Sequence, residues 1–287
     1  MNPQRGAVTR FDSANVLRGI AASRTGEIIS LNLPLDDPHT GYGRRPFSRE
    51  TSVHNMFIPI GEGRYMVVND DEVSFALQGS SHWDSLAHVG ISTPEHDGIY
   101  YGDATIHETF PEPTAPNLGI QAMGSALVTR GVLVDVVAPF AEGKPYLDPG
   151  FRITRAVLEE CLDRQAVDIL PGDAVLIFTG FEALRAANGG EYPATSSGLD
   201  GSTVPLWIEC DVQALISDNP AVESQPNDHA VHEGMLVGQG VPLGELWALE
   251  TLAEACRGDG RYDFTLASVP LNISGAFGSP ANAIAIR

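Results

Sequence analysis

The chain has 287 residues, 43% hydrophobic and 19% charged, so it can bury a large core and is not disordered as a whole. Its 17 basic residues stand against 37 acidic ones, a net charge of −20. That balance supplies no positive field for nucleic acid or an anionic membrane surface, and both are excluded as partners.

Residues 1–50 are rich in proline, aspartate and arginine and are expected to form an N-terminal arm, available for contacts between copies of the chain. The start, MNPQRGAVTRFDSAN, is polar and lacks the apolar stretch of a signal peptide. No later apolar run is long and unbroken enough to span a bilayer, so a cytoplasmic protein is expected. Residues 26–33 predict a strand, stopped by Pro34, and 56–60 and 65–68 predict two more. Residues 92–121 carry Pro94, Asp97-Gly98, Pro111, Pro113 and Pro116. They are expected to be a long loop, a candidate cover for a pocket with His96, His107 and Phe110. Residues 131–137 predict a buried strand and 174–180 a second, entered through the turn Pro171-Gly172-Asp173. Between them Ile153, Val157, Leu158, Cys161 and Leu162 recur at helical spacing and predict a helix over 153–164. Further helices are predicted within 205–216 and over 246–256, the latter stopped by Gly258, and 269–274 predicts a last strand. The three cysteines (Cys161, Cys210 and Cys256) lie far apart with no CxxC pair, which excludes a disulfide framework or a zinc ribbon. A β-rich first half followed by alternating strands and helices predicts one α/β domain over 1–287. It has a mixed sheet with an incomplete parallel core and flanking helices.

The densest cluster of reactive side chains is Gln78-Gly-Ser-Ser-His82-Trp-Asp84-Ser-Leu-Ala-His88. In an extended segment His82 and Asp84 point to the same face, because strand side chains alternate. Imidazole nitrogen and carboxylate oxygen are ligands that suit zinc, manganese or iron. His88, six residues beyond His82, is a further ligand or a general base. A second cluster is Asn227-Asp228-His229-Ala-Val-His232-Glu233, followed by Glu245 at the expected head of the 246–256 helix. Glu245 either serves the first turn of that helix, where acidic side chains are favoured, or joins His232 in completing a shell begun by His82 and Asp84. No phosphate loop, GxSxG elbow or HExxH helix occurs, and Gly238-Gln-Gly240-Val-Pro-Leu-Gly244 has the wrong spacing for a dinucleotide fingerprint.

The 78–88 segment resembles the signature of the putative cyclase family of metal-dependent hydrolases, His-x-Gly-Thr-His-x-Asp-x-x-x-His, whose members include bacterial kynurenine formamidases and isatin hydrolases. His232 and the glycine-containing run to Glu245-Leu-Trp247 resemble a second landmark of that family. Arg130-Gly-Val-Leu-Val-Asp135 and residues 278–286 resemble two more. The resemblance runs from about residue 50 to the C-terminus. It implies a swivelling β/β/α, barrel-like fold and a homodimer or homotetramer. It also implies that His82 and Asp84 bind metal, that His88 transfers a proton, and that His232 and Glu245 complete the site as ligands or acid/base partners. Gln78 stands where the family has a histidine ligand, Ser80-Ser81 stands for Gly-Thr, and the spacing from His232 to Glu245 is one residue longer than the family pattern. Gln78 is a candidate ligand through its neutral amide oxygen only, a weak donor, so a single divalent ion, zinc or manganese, is expected. Trp83 and Ser81 are candidate substrate contacts, Trp83 being either a stacking surface or a packing tryptophan.

The implied activity is hydrolysis of a small formamide, cyclic amide or lactone, by water activated on the metal, with His88 moving the proton. A lyase, dehydratase, isomerase or cyclase polarising a carbonyl with the same metal is the nearest alternative. A non-catalytic metal-binding relative comes next and a plain binding module after it. Five ionisable groups converging without chemistry to perform argue against both.

Overall fold

The Val- and Ile-rich runs form the middle of a nine-stranded sheet. The computed structural model describes residues 6–8, 12–37, 43–110, 117–124, 126–226 and 229–287. Strands Leu127–Asp135, Ala174–Phe178, Ala214–Ser217 and Leu243–Glu245 lie parallel, each beside the next. Ala174–Phe178 and Ala214–Ser217 are buried along their whole length, which is why they read as continuous rather than alternating apolar runs. Antiparallel strands extend both sides. Asp263–Ser268, Ala283–Ile286 and Ile28–Ser30 follow Leu127–Asp135. His82–Asp84 and Gly278–Pro280 follow Leu243–Glu245.

Connectivity makes this sheet curl. Gly278–Pro280 ends one side of the strand order, and Ala283–Ile286 is next to last on the other. Only Ala281 and Asn282 join them, a span of at most about 11 Å. The two sides are therefore drawn together into the expected barrel-like α/β core. Hydrogen bonds cross the seam: the Trp83 indole N–H donates to Ser268 Oγ at 2.8 Å, and that hydroxyl donates to the Ala281 carbonyl.

Helices cover the sheet. Ser13–Ala21 starts at Asp12, whose carboxylate accepts from the Ala14 and Asn15 N–H groups. At Gly19 a Cβ would come within 2.4 Å of the Thr129 backbone, so only glycine lets this helix lie on the sheet. Arg155–Gln165 starts from Thr154, and Glu250–Asp259 ends at Gly260 in the left-handed conformation. Three carboxylates in or beside the sheet are clamped by arginine. Arg130 reaches Asp173 at 2.6 Å and Asp263 at 3.1 Å, and Arg257 grips both oxygens of Asp135.

Several elements differ from expectation. Within the expected N-terminal arm, residues 13–37 hold a helix and an edge strand packed on the sheet; 1–5, 9–11 and 38–42 lie outside the described residues. The expected loop over 92–121 contains the small sheet Ile91–Thr93, His96–Tyr100 and Ala104–Thr105, then the short helix Ile106–Thr109. Its chain reversal is at Pro94-Glu95, while Gly98 sits buried within a strand; His96 and His107 are exposed, and 111–116 lie outside the described residues. The helix expected within 205–216 is the six-residue Val204–Glu209, broken before Asp211 (φ 49°), and the apolar run after it is a strand. Short apolar runs do not distinguish the two by periodicity. The 246–256 helix begins only at Glu250, because Leu246 is left-handed (φ 57°). The strand expected over 269–274 is Asp263–Ser268, ending two residues before Pro270. Strands Ser48–Gly61 and Arg64–Ser74 are much longer than the two short strands expected, and form a hairpin exposed along nearly its whole length. Among the described residues no helix is long and apolar enough to cross a membrane.

Candidate metal centre

Strand register assembles the site. His82–Asp84 runs antiparallel between two strands, with Glu245 directly opposite His82 and Gly244 opposite Trp83. Directly opposed residues project to the same face with Cβ atoms roughly 5 Å apart. Two residues along the same strand also share a face. His82, Asp84 and Glu245 therefore converge by register alone, while Ser81 and Trp83 point the other way. Glu245 thus closes a strand rather than opening a helix, so its reading as a first-turn helix residue does not hold.

The converging atoms are close but not bonded to one another. His82 Nε2 is 3.5 Å from Asp84 Oδ1 and 3.5 Å from Glu245 Oε2. His82 Nε2 and both Asp84 oxygens are buried and have no hydrogen-bond partner. His82, Asp84 and Glu245 can each direct one ligand atom to a point where all three lie within 4.8 Å of one another. Buried polar groups are ordinarily satisfied, and an orphaned set of this composition fits a divalent cation. His82 Nδ1 donates to the Ser80 carbonyl at 2.8 Å, which fixes the tautomer and leaves the Nε2 lone pair facing the cluster.

Two more histidines border these atoms. The chain turns back after the strand, with the His88 N–H bonded to the Ser85 carbonyl, and brings His88 Nε2 to 3.5 Å from Asp84 Oδ1. The side chain of His88 is 28% exposed, against 1% for His82 and 8% for His232. His232 opens a π-helical stretch, His232–Val237, and its Nε2 lies 3.4 Å from Glu245 Oε1. Such stretches recur at functional sites. On its other side His232 meets Glu223, which lies in a segment without hydrophobic periodicity, so nothing in the sequence marks it. Glu223 Oε1 accepts the His232 backbone N–H at 2.7 Å and lies 3.2 Å from Nδ1. His229 is exposed, and Asn227 and Asp228 lie outside the described residues.

Burial and mutual charge set the protonation of the metal-free cluster. Burial disfavours the His82 imidazolium, but Asp84 and Glu245 outweigh it and raise its pKa. Burial pushes Asp84 up, and the surrounding histidines, His88 first, more than reverse this and hold it below its ordinary value. Glu245 is raised by burial and then by the Asp84 charge. His232 resists burial through its bonds to Glu223 and Glu245 and is pushed up to about 10.

The other expected site residues sit behind or beside this cluster. Trp83 is fully buried, its indole bonded to Ser268 and packed edge to face on Trp247, with centroids 4.9 Å apart. It is a core residue and offers no surface to a substrate, which corrects its reading as a stacking contact. Ser81 is likewise buried. Its hydroxyl accepts the Leu33 N–H and donates to the Leu246 carbonyl, so it is a fastening rather than a substrate contact. Gln78 is half-buried beside the site strand, its amide lying where a Cβ on Gly278 would be.

The family model described as putative cyclase matches residues 29–224, more than half of the chain. The chain belongs to that family. A crystal structure described as a novel cyclase shares 31% identity and a TM-score of 0.87, over 100% of this chain and 97% of that one. Isatin hydrolase A from Labrenzia aggregata has the same fold at 18% identity (TM-score 0.64; 96% and 98% covered). So does a protein described as a predicted metal-dependent hydrolase from Bacillus stearothermophilus, at 14% identity (TM-score 0.53; 90% and 97% covered). No curated protein matches the chain significantly. The family-model match ends before His232 and Glu245.

Proposed function

We propose that this cyclase-family chain is a metal-dependent hydrolase of a small carbonyl compound: a formamide, cyclic amide or lactone. The observation that carries the reading is the orphaned set of buried atoms on His82 and Asp84, facing Glu245. An unpaired buried charge costs several kcal/mol, and a cation removes that cost. His82 Nε2, Asp84 and Glu245 would hold the ion, with His232 Nε2 and the Gln78 amide at its border. These nitrogen and oxygen donors suit zinc and manganese alike. When bound, such an ion supplies a Lewis acid that brings the pKa of water toward neutrality.

The chain's own residues supply the remaining functions. His88 Nε2 accepts the proton of the attacking water and returns it to the leaving nitrogen or oxygen. Its partial exposure keeps it in exchange with solvent. The Ser80 carbonyl holds the His82 ring in one tautomer, and Glu223 holds His232 from behind. The hydrolases among the structural neighbours support hydrolysis as the reaction class.

Metal content of the purified protein, beside His82→Ala and Asp84→Ala, tests this directly. About one zinc or manganese per chain is expected in the wild type, by the single-site geometry, and none in either variant. Formamides, lactams and lactones are then turned over in isotopically labelled water, and solvent oxygen in the product separates hydrolysis from a lyase or cyclase reaction. A wild-type protein that stays metal-free after reconstitution overturns the proposal.

A further inference from the structure

Glu223 carries an acceptor that the inner cluster does not use. Its carboxylate is 1% exposed, and its only ion-pair partner among the described residues is His232. Oε1 takes both contacts to that residue, from the backbone N–H at 2.7 Å and with Nδ1 at 3.2 Å. Oε2 is buried and has no hydrogen-bond partner among the described residues. Holding His232 needs one oxygen only, and a buried carboxylate oxygen left unsatisfied is costly.

A third group stands close by. His229 lies three residues before His232, with its backbone left-handed (φ 59°), and its ring centroid is 6.1 Å from that of His232. Glu223, His229 and His232 can each offer one ligand atom, all within 4.8 Å of one another. Donors on one zinc ion stand about 3.3 Å apart. His229 is exposed, so its side chain can make up the difference without disturbing the core. The other two are held in place. The Glu223 segment is fixed against Leu199, whose N–H donates to the Val222 carbonyl and whose carbonyl accepts the Ser224 N–H. Asn219 Nδ2 donates to the Glu223 carbonyl at 2.9 Å. A Cβ on Gly198 would come within 2.3 Å of the Glu223 backbone, so glycine there lets the segment lie this close.

We propose that Glu223, His229 and His232 form a second, outer site for a divalent cation, suited to zinc by its two imidazoles and one carboxylate. It differs from the inner centre in its ligands and in the open face at His229, which lets its ion exchange with solvent. The His232 ring lies between the two sites: Nδ1 faces Glu223, and Nε2 lies 3.4 Å from Glu245 Oε1. When Nδ1 takes the outer ion, the proton it shares with Glu223 leaves to solvent. When Nε2 serves the inner ion, that proton stays to hold the ring, and the outer ion keeps Glu223 Oε2, His229 and water. Filling the inner site therefore weakens the outer one. Desalted protein retains the inner ion alone.

Zinc titration against a chromophoric chelator tests the outer site, with circular dichroism as the check on folding. Protein carrying His82→Ala and Asp84→Ala lacks the inner centre. It is expected to take one exchangeable zinc, and to lose that capacity when His229→Ala is added. The wild type is expected to take two, the second more weakly than the double variant takes its one. His229→Ala alone, at an exposed position, is expected to keep the first and lose the second. A wild type that takes one zinc, lost with His229→Ala and kept with His82→Ala, would support the outer site while sinking the hydrolase centre, so the two readings fail separately. A folded double variant that binds no zinc, a wild type saturated by one zinc that His229→Ala leaves bound, or a second zinc indifferent to His229→Ala overturns the inference.

Discussion

His88 differs from the other site histidines in having an open side, and that difference supports the proton-transfer role proposed for it. A ligand held in place by buried partners cannot readily give its proton to solvent, whereas a ring 3.5 Å from Asp84 Oδ1 and 28% exposed can cycle. His88→Gln should therefore keep its metal while kcat falls by about a hundred- to ten-thousand-fold. Metal analysis beside steady-state kinetics checks both halves; loss of metal would make His88 a ligand instead. Glu223 acts through His232, which it holds by the backbone N–H and by Nδ1. Glu223→Gln should weaken metal affinity by about ten- to a hundred-fold, read by chelator competition, with residual turnover restored at high metal.

At the scale of elements, the site is a matter of pairing. His82, Asp84 and Glu245 share a face because a three-residue strand lies in one register against Leu243–Glu245. The same register sends Trp83 into the core. Trp83→Ala should cost about 3–5 kcal/mol in chemical denaturation of the metal-free protein. A change confined to KM, with stability intact, would restore its reading as a substrate contact. Alternation within the His-Trp-Asp triplet was legible in the sequence, as were the strands about Val132 and Leu176 and the helix through Leu158 and Cys161. Register between distant strands was not, because it depends on pairings more than 150 residues apart, so residue types alone left Glu245 open between two readings. Leu246 hid the true start of its helix: an apolar residue that completes the helical stripe is here left-handed, held by Asn219 and Ser81. The partners of buried carboxylates, Glu223 among them, leave no periodic trace.

For the whole molecule, a buried cluster of unlike charges couples stability to pH. In the metal-free protein His232 stands at about 10, above its ordinary 6.5. The stabilisation this confers is complete below about 6.5, where the ring is charged whether or not the chain is folded. It is lost as pH rises through about 10, where the folded ring too gives up its proton. The urea midpoint of metal-stripped protein should fall between these limits, and His232→Gln should flatten that slope. A slope unchanged in the variant would place the titrating group elsewhere.

The two-residue link between Gly278–Pro280 and Ala283–Ile286 has a consequence for the order in which the molecule is made. The strand bearing His82 and Asp84 has no local partner. Its neighbours come from residues 243–245 and 278–280, and the seam beside it shuts only when Trp83 reaches Ser268. Pairings of such long range are slow and come late in folding. Capture of the proposed metal would therefore belong to the end of the folding sequence. A chain stalled before that seam closes carries the whole 78–88 signature and no binding site.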